Sequence, residues 1–209
     1  GGSPVYSDIL NNELTRLRKL YPTKPIDFVV EEVCASGCYY AAAAADKIYA
    51  SPASIVGSIG VIYTGFGANE AMKKLGLESR LIISGKNKAM GFPFVAENKD
   101  QTQMQQKMLD EVHQQFIDAV KRGRGNKLAQ DPDLFSGRYW LGQDAQKLGL
   151  IDGYGTVSSV AREQFKSENV VDFTPAQDTL DKLSKKFGVG LVDSAKQAVL
   201  SGGLTGSIN

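Results

Sequence analysis

The sequence predicts an α/β fold with a crossover-connected sheet, and three observations carry that prediction. Short runs rich in β-branched and aromatic residues, at 26–30 and 47–50, alternate with helical stretches instead of clustering. Apolar residues recur at threefold and fourfold spacing over 7–20 and again over 101–122, as in helices with one buried face. The chain has 209 residues, 42% of them hydrophobic, which suits one domain, or a domain plus a helical extension, around a sizeable core.

In chain order, Ile9, Leu10, Leu14, Leu17 and Leu20 form the stripe of the first helix, which Pro22 and Pro25 stop. Ile26-Asp27-Phe28-Val29-Val30 then reads as a strand. Cys34-Ala35-Ser36-Gly37-Cys38-Tyr39-Tyr40 turns into a helix made compact by five alanines, Ala41 to Ala45. Residues 47–50 are a short strand, Ser51-Pro52 a turn, 61–63 and 81–83 further strands, and 69–75 a helix ended by Gly76. The long helix at 101–122 presents Leu109, Val112, Phe116, Ile117 and Val120, and Gly123-Arg124-Gly125-Asn126 closes it. Residues 144–152 read as helical, with Gly149 as a C-terminal stop. Beyond Val171 the pattern weakens to helices at 179–187 and 192–200 and a loose tail at 201–209.

Composition excludes several functions. A net charge of +1 with no basic cluster gives no nucleic-acid surface. No run of about 18 apolar residues spans a bilayer, and no charged-then-apolar leader is present. Cys34 and Cys38 read as buried small apolar residues rather than a disulfide or a metal pair, since no further ligands follow. No metal and no cofactor are expected.

Ser36 is the chemical focus, a hydroxyl between small residues where a strand gives way to a helix. Unpaired N–H groups at such a junction favour developing negative charge. A serine there is also a common helix cap or packing residue, so the junction alone does not make it a nucleophile. The single histidine, His113, sits beside the apolar face of the long helix and reads as packed at the core edge, which disfavours a Ser–His–Asp triad. A lysine can serve as the base if burial or nearby positive charge brings its pKa from about 10.4 to near 7–8. Ser84-Gly85-Lys86-Asn87-Lys88-Ala89-Met90-Gly91-Phe92-Pro93 sets two lysines among small and apolar residues.

Ala45-Asp46-Lys47-Ile48-Tyr49-Ala50-Ser51-Pro52 and Ile55-Val56-Gly57-Ser58-Ile59-Gly60-Val61-Ile62 follow the Ser36 motif in order. Together with it they resemble the core block of the signal peptide peptidase A family, which includes protease IV and SohB-like relatives. Those are serine peptidases of the Clp/crotonase fold, a ββα-spiral, that use a Ser–Lys dyad. The resemblance runs from about Gly1 to about Gly155. It implies a peptidase domain at 1–155, lacking its N-terminal strands, and a C-terminal helical extension at 156–209.

The resemblance also assigns roles. Lys88, 52 positions after Ser36 in a Ser-Gly-x-x-Lys setting, is the implied base, with Lys86 in reserve. Ser58, 22 after Ser36, matches a serine that holds the lysine. Gly37 N–H would be one oxyanion donor and Gly2, or Gly1, the other. Ile55, Val56, Gly57, Ile59 and Tyr39 would border the substrate pocket, with Tyr40 and Phe92 as further aromatic lining. Cys38 stands where the family usually has glycine.

The implied reaction is acyl transfer to water from peptides with small or apolar side chains, including cleaved signal peptides. Neighbouring subunits of a homo-oligomer would share the dyad. A membrane tether would come only from a segment absent from this chain, with the soluble domain outside the cytoplasm. The opening Gly1-Gly2-Ser3-Pro4 reads as a trimmed start or an expression linker. Three other readings share the fold: a phage-type capsid maturation protease, a non-catalytic ring-forming peptide-binding scaffold, and a crotonase-like acyl-CoA enzyme.

Overall fold

The computed structural model describes residues 1–174. The chain divides into two units, Gly1–Glu168 and Asn169–Asn209, and every helix and strand among the described residues lies in the first. The expected helices at 179–187 and 192–200 fall outside the described residues.

Helix α1 (Pro4–Leu20) starts earlier than the apolar stripe suggests, because a proline in the first turn has its φ preset and lacks only an N–H that would be unpaired there. Next come β1 (Asp27–Val30), β2 (Val33–Ala35), α2 (Gly37–Ala42), β3 (Lys47–Ala50) and β4 (Ile55–Gly57). After them lie α3 (Asn69–Lys74), α4 (Lys99–Arg124), β5 (Tyr139–Leu141), α5 (Gly142–Lys147), β6 (Gly153–Tyr154) and α6 (Val157–Glu163). Two three-stranded sheets result, ordered β1-β3-β6 and β2-β4-β5. The first is parallel, with Asp27 opposite Lys47 and Val30 opposite Ala50. In the second, β2 runs parallel to β4, Ala35 facing Gly57, and β5 runs antiparallel to β4. The short segment between β1 and β2 carries the chain from one sheet to the other, so α2 leaves directly from the end of β2.

The core gathers around α2. Ala41 to Ala45 are all buried, and their small side chains let α4 approach closely: a Cβ on Gly123 would overlap the carbonyl oxygen of Ala43. Ile48, Ile59, Leu134 and Leu150 are almost wholly shielded, each worth roughly 1.5–3 kcal/mol relative to exposure. One charged group is built into this interior. Arg124 donates from Nε to the Gly149 carbonyl at 2.9 Å and from Nη1 to Asp152 at 2.6 Å, while Lys127 reaches the other Asp152 oxygen. No helix among the described residues is long and apolar enough to cross a membrane.

Two expectations are corrected here. Segments 61–63 and 81–83 form no strand among the described residues, although their side chains have the right character. Strands need a neighbouring backbone to bond, and these segments leave Ile62, Tyr63 and Ile82 exposed instead. The helix expected at 144–152 with Gly149 as its stop runs over Gly142–Lys147, and Gly149 follows it with a φ of 74°. Cys34 and Cys38 are joined in a disulfide rather than being separate buried thiols: the turn from β2 into α2 brings their Cα atoms to 5.1 Å, within disulfide reach.

Candidate active site

Ser36 follows the last residue of β2, and its N–H donates to the Gly57 carbonyl at 2.8 Å, extending the β2–β4 ladder by one bond. Its own carbonyl then accepts from Tyr40 N–H at 2.9 Å, which opens α2. Serving both neighbours bends the backbone sharply, to φ 56° and ψ −124°. A capping serine has extended backbone and bonds the next turn. Ser36 has neither, since its side chain makes no capping bond. The hydroxyl is therefore not used by the helix it precedes, and a non-glycine residue in this region of backbone space is strained by about 1–3 kcal/mol.

Gly37 is closely packed against the start of the chain. A Cβ there would lie 2.5 Å from Ser7 Oγ and 3.2 Å from Gly2 N, so the backbone of Gly37 faces that of Gly2 with nothing between. Gly1 lies against Ser36 itself: a Cβ on Gly1 would be 3.7 Å from Ser36 Oγ. Helix α1 holds this arrangement. Buried Asn11 donates to the Tyr40 carbonyl at 2.8 Å and accepts from Arg122 at 3.2 Å, and Ser7 Oγ donates to the Ser3 carbonyl at 2.9 Å. The two glycines thus meet at the nucleophile because polar side chains on α1 bind α2 and α4.

These groups open on a cleft of about 100 Å³ lined by Gly2, Ser36, Gly37, Tyr40, Val112 and Phe116, with Pro4 and residues 60–62 completing the wall. The rings of Tyr40 and Phe116 stack, with centroids 4.7 Å apart. Tyr40 donates its hydroxyl to Asp8 at 3.1 Å. Burial, reinforced by that acceptor, pushes the phenol up to about 12, so it remains a neutral donor.

The expected pocket residues are displaced. Tyr39 is fully buried and donates to the Leu150 carbonyl at 2.7 Å, and burial pushes its phenol well up. Successive helical residues point about 100° apart, so Tyr39 and Tyr40 cannot share the cleft. Ile55, Val56, Gly57 and Ile59 do not line it either. Val56 and Ile59 belong to the core, and the wall is formed one step later, by Gly60, Val61 and Ile62. Phe92 lies in a different recess, with Tyr63, Phe66 and Gln101. Val112 and Phe116 were legible as an apolar helix face, but threefold and fourfold spacing cannot separate a core position from a cleft floor.

Within one copy the structure brings Gly1, Gly2, Ser36 and Gly37 together. It does not bring Lys88 or Ser58 into that cleft. Lys88 is exposed in a turn where its N–H donates to Gly85 at 3.0 Å, and its ammonium has no partner among the described residues. Lys86 is exposed beside it. Ser58 has a positive φ of 54°, and its N–H donates to Arg138 at 2.8 Å. His113 packs against the loop: Nε2 donates to the Ile59 carbonyl, which can only accept, at 3.0 Å.

Comparisons with known proteins bear on these features. The Na(+)/H(+) antiporter NhaA of Brucella abortus is 43% identical over 165 residues, a match taking in 79% of this chain and 22% of that protein. The protein MJ0651 of Methanocaldococcus jannaschii is 33% identical over 90% of this chain and 60% of its own length. Protease 4 of Haemophilus influenzae is 31% identical over 85% of this chain and 28% of its own. The chain thus spans between 22% and 60% of the length of these relatives. The model of peptidase family S49 matches residues 18–171, a range that holds Ser36, Gly37, Ser58 and Lys88 and the cleft residues 60–62, Val112 and Phe116, while Gly2 and Pro4 lie before it. With most of its length covered by that match, the chain belongs to peptidase family S49.

Proposed function

We propose that this chain carries the catalytic core of a Ser–Lys endopeptidase with the Clp/crotonase architecture. The observation that carries the reading is Ser36, held at φ 56° with its hydroxyl unused by the helix, beside the facing backbones of Gly37 and Gly2. Family membership supports it, and so do the peptidase names among the relatives.

In this reading, neutral Lys88 from an adjacent copy removes the Ser36 proton, and the alkoxide attacks a peptide carbonyl. The N–H groups of Gly37 and Gly2 hold the oxyanion, and the protonated lysine returns its proton to the leaving amine. Water then hydrolyses the ester. Ser58 orients the lysine in the assembled site. An exposed Lys88 on a surface that also exposes Ile82 and Phe92 suits a base presented to a neighbour rather than to its own Ser36. The apolar cleft, floored by Phe116 and Tyr40, suits small or apolar side chains such as those of cleaved signal peptides or unfolded segments. A membrane tether outside this chain, with the domain on the extracytoplasmic side, fits such substrates.

The test is labelling of the assembled protein with a fluorophosphonate, with the modified residue mapped. Ser36 is expected to label, and Ser36→Ala and Lys88→Ala are each expected to lose peptide hydrolysis while keeping the fold. Mixing the two variants should restore part of it by pairing an intact serine with an intact lysine. Wild-type turnover by Lys88→Ala would remove the lysine from the mechanism, and an unlabelled Ser36 would favour a binding scaffold.

A further inference from the structure

The Cys34–Cys38 disulfide brackets Ser36: one cysteine is the middle residue of strand β2, the other lies in the first turn of α2, and the strained serine is midway between them in sequence. Cys34 is buried, whereas Cys38 is only partly covered. Both cysteines line a shallow depression of about 400 Å³ on the side of the β1–β2 connection, which shares no lining residue with the Ser36 cleft. Glu31 and Glu32, both exposed, lie on its rim.

We propose that Cys34–Cys38 is a reversible thiol–disulfide exchange site for small neutral or cationic thiols, and that its reduction loosens the Ser36–Gly37 turn. The effect on catalysis rests on the reading of Ser36 as nucleophile; the exchange chemistry does not. The thiolate of an incoming dithiol attacks Cys38 Sγ from the depression. The S–S bond breaks, and Cys34 leaves as a thiolate that takes a proton from solvent. The second thiol of the reductant then displaces Cys38 Sγ, which takes up the remaining proton. The dithiol ends as a cyclic disulfide and the protein as two thiols, a two-electron exchange.

The consequence follows from the backbone. Ser36 is held in its strained conformation by two hydrogen bonds, from its N–H to Gly57 and from Tyr40 to its carbonyl, and by the covalent tie across it. Opening the tie leaves those two bonds to resist relaxation toward ordinary extended backbone, which would turn the hydroxyl and the Gly37 N–H away from their present positions. The paired carboxylates make the depression unfavourable for anionic thiols.

The experiment treats the full chain with dithiothreitol under native conditions, maps free thiols by alkylation and mass spectrometry, and follows amide exchange at Ser36 and Tyr40 alongside fluorophosphonate labelling. The expected result is reduction without unfolding, exchange at both amides faster by roughly tenfold or more, labelling slower by a similar factor, and recovery on reoxidation. Cysteamine should react at least severalfold faster per thiolate than 3-mercaptopropionate, and equal rates would overturn the role of the acidic rim. Free thiols at 34 and 38 before any reductant, a bond that opens only in denaturant, or unchanged exchange at Ser36 and Tyr40 would each overturn the proposal. A reduced form that labels as fast as the oxidised one would overturn the catalytic consequence. If Ser36 fails to label in either state while its amide responds, the nucleophile assignment falls and the exchange site stands. Cys34→Ala/Cys38→Ala should behave as the reduced form and ignore the dithiol; a response in that variant would overturn the assignment.

Discussion

Gly37→Ala isolates the contact on which the candidate oxyanion site depends. In an unobstructed helix the change from glycine to alanine stabilises by about 0.4–1 kcal/mol, because the unfolded chain loses freedom. Here the new Cβ would sit 2.5 Å from Ser7 Oγ and 3.2 Å from Gly2 N. The first approach is closer than real Cβ atoms tolerate, and the second needs a shift of a few tenths of an ångström. Overpacking of this kind costs about 1–3 kcal/mol, so the sign should reverse and the variant should be less stable than wild type. Ser7→Ala removes the hydroxyl and its bond to the Ser3 carbonyl, at about 1 kcal/mol on its own. Because it also clears the space the new methyl needs, the double variant should be less damaged than the two singles added together, by roughly 1 kcal/mol. Urea unfolding of the four proteins, read from midpoints at constant slope, gives the coupling directly. Labelling of Ser36 should fall in Gly37→Ala and recover only in part in the double variant, since Gly2 remains in the way. Gly37→Ala with stability equal to or above wild type, or strictly additive changes, would refute the packing argument.

Two more changes probe the frame behind the site. Asp152→Asn strips the charge partner from an Arg124 whose side chain is almost fully buried, and should cost about 3–5 kcal/mol in urea unfolding. Burial pushes the Asp152 carboxyl up, but hydrogen bonds from Arg124, Lys127 and the Ile48 N–H outweigh it and hold the group below its ordinary value. A depressed carboxyl contributes stability above its unfolded pKa of about 3.9 and loses it as pH falls through the folded value. Wild-type stability should therefore decline on acidification below about pH 4, and the Asp152→Asn protein should lack that component; parallel acid profiles would refute it. Gly123→Ala places a methyl on the Ala43 carbonyl and should force α4 away from α2, lowering the thermal midpoint and widening the Tyr40–Phe116 stack. An unchanged midpoint would show that the helices have more room than the structure gives them.

Much of the framework was legible without coordinates. The stripe of the first helix, the strand at 47–50 and the long helix appear where periodicity and breakers put them, within two or three residues at the ends. The helix start at Ser36 and the packed state of His113 were legible for the same local reasons. The segments at 61–63 and 81–83 misled because β propensity describes a side chain's fit to a pleated surface, and it cannot say whether another backbone is at hand. The disulfide was missed because spacing alone does not fix the direction of two Cβ vectors across a turn.

What the sequence by itself determined is the order of elements, the position of Ser36 at a strand-to-helix junction, and the set of residues able to do chemistry. These depend on neighbours within a turn or two, whose sterics and hydrogen bonds act locally. The tertiary structure decided which of them meet. Gly2 stands against Gly37 because Asn11 and Asp8 tie α1 to α2; Tyr40 faces the cleft while Tyr39 reaches Leu150, 111 positions away; and Phe116 closes the floor because glycine and alanine let α4 approach α2. Such meetings are set by how whole surfaces pack, a property of all the elements at once that no stretch of a few residues contains.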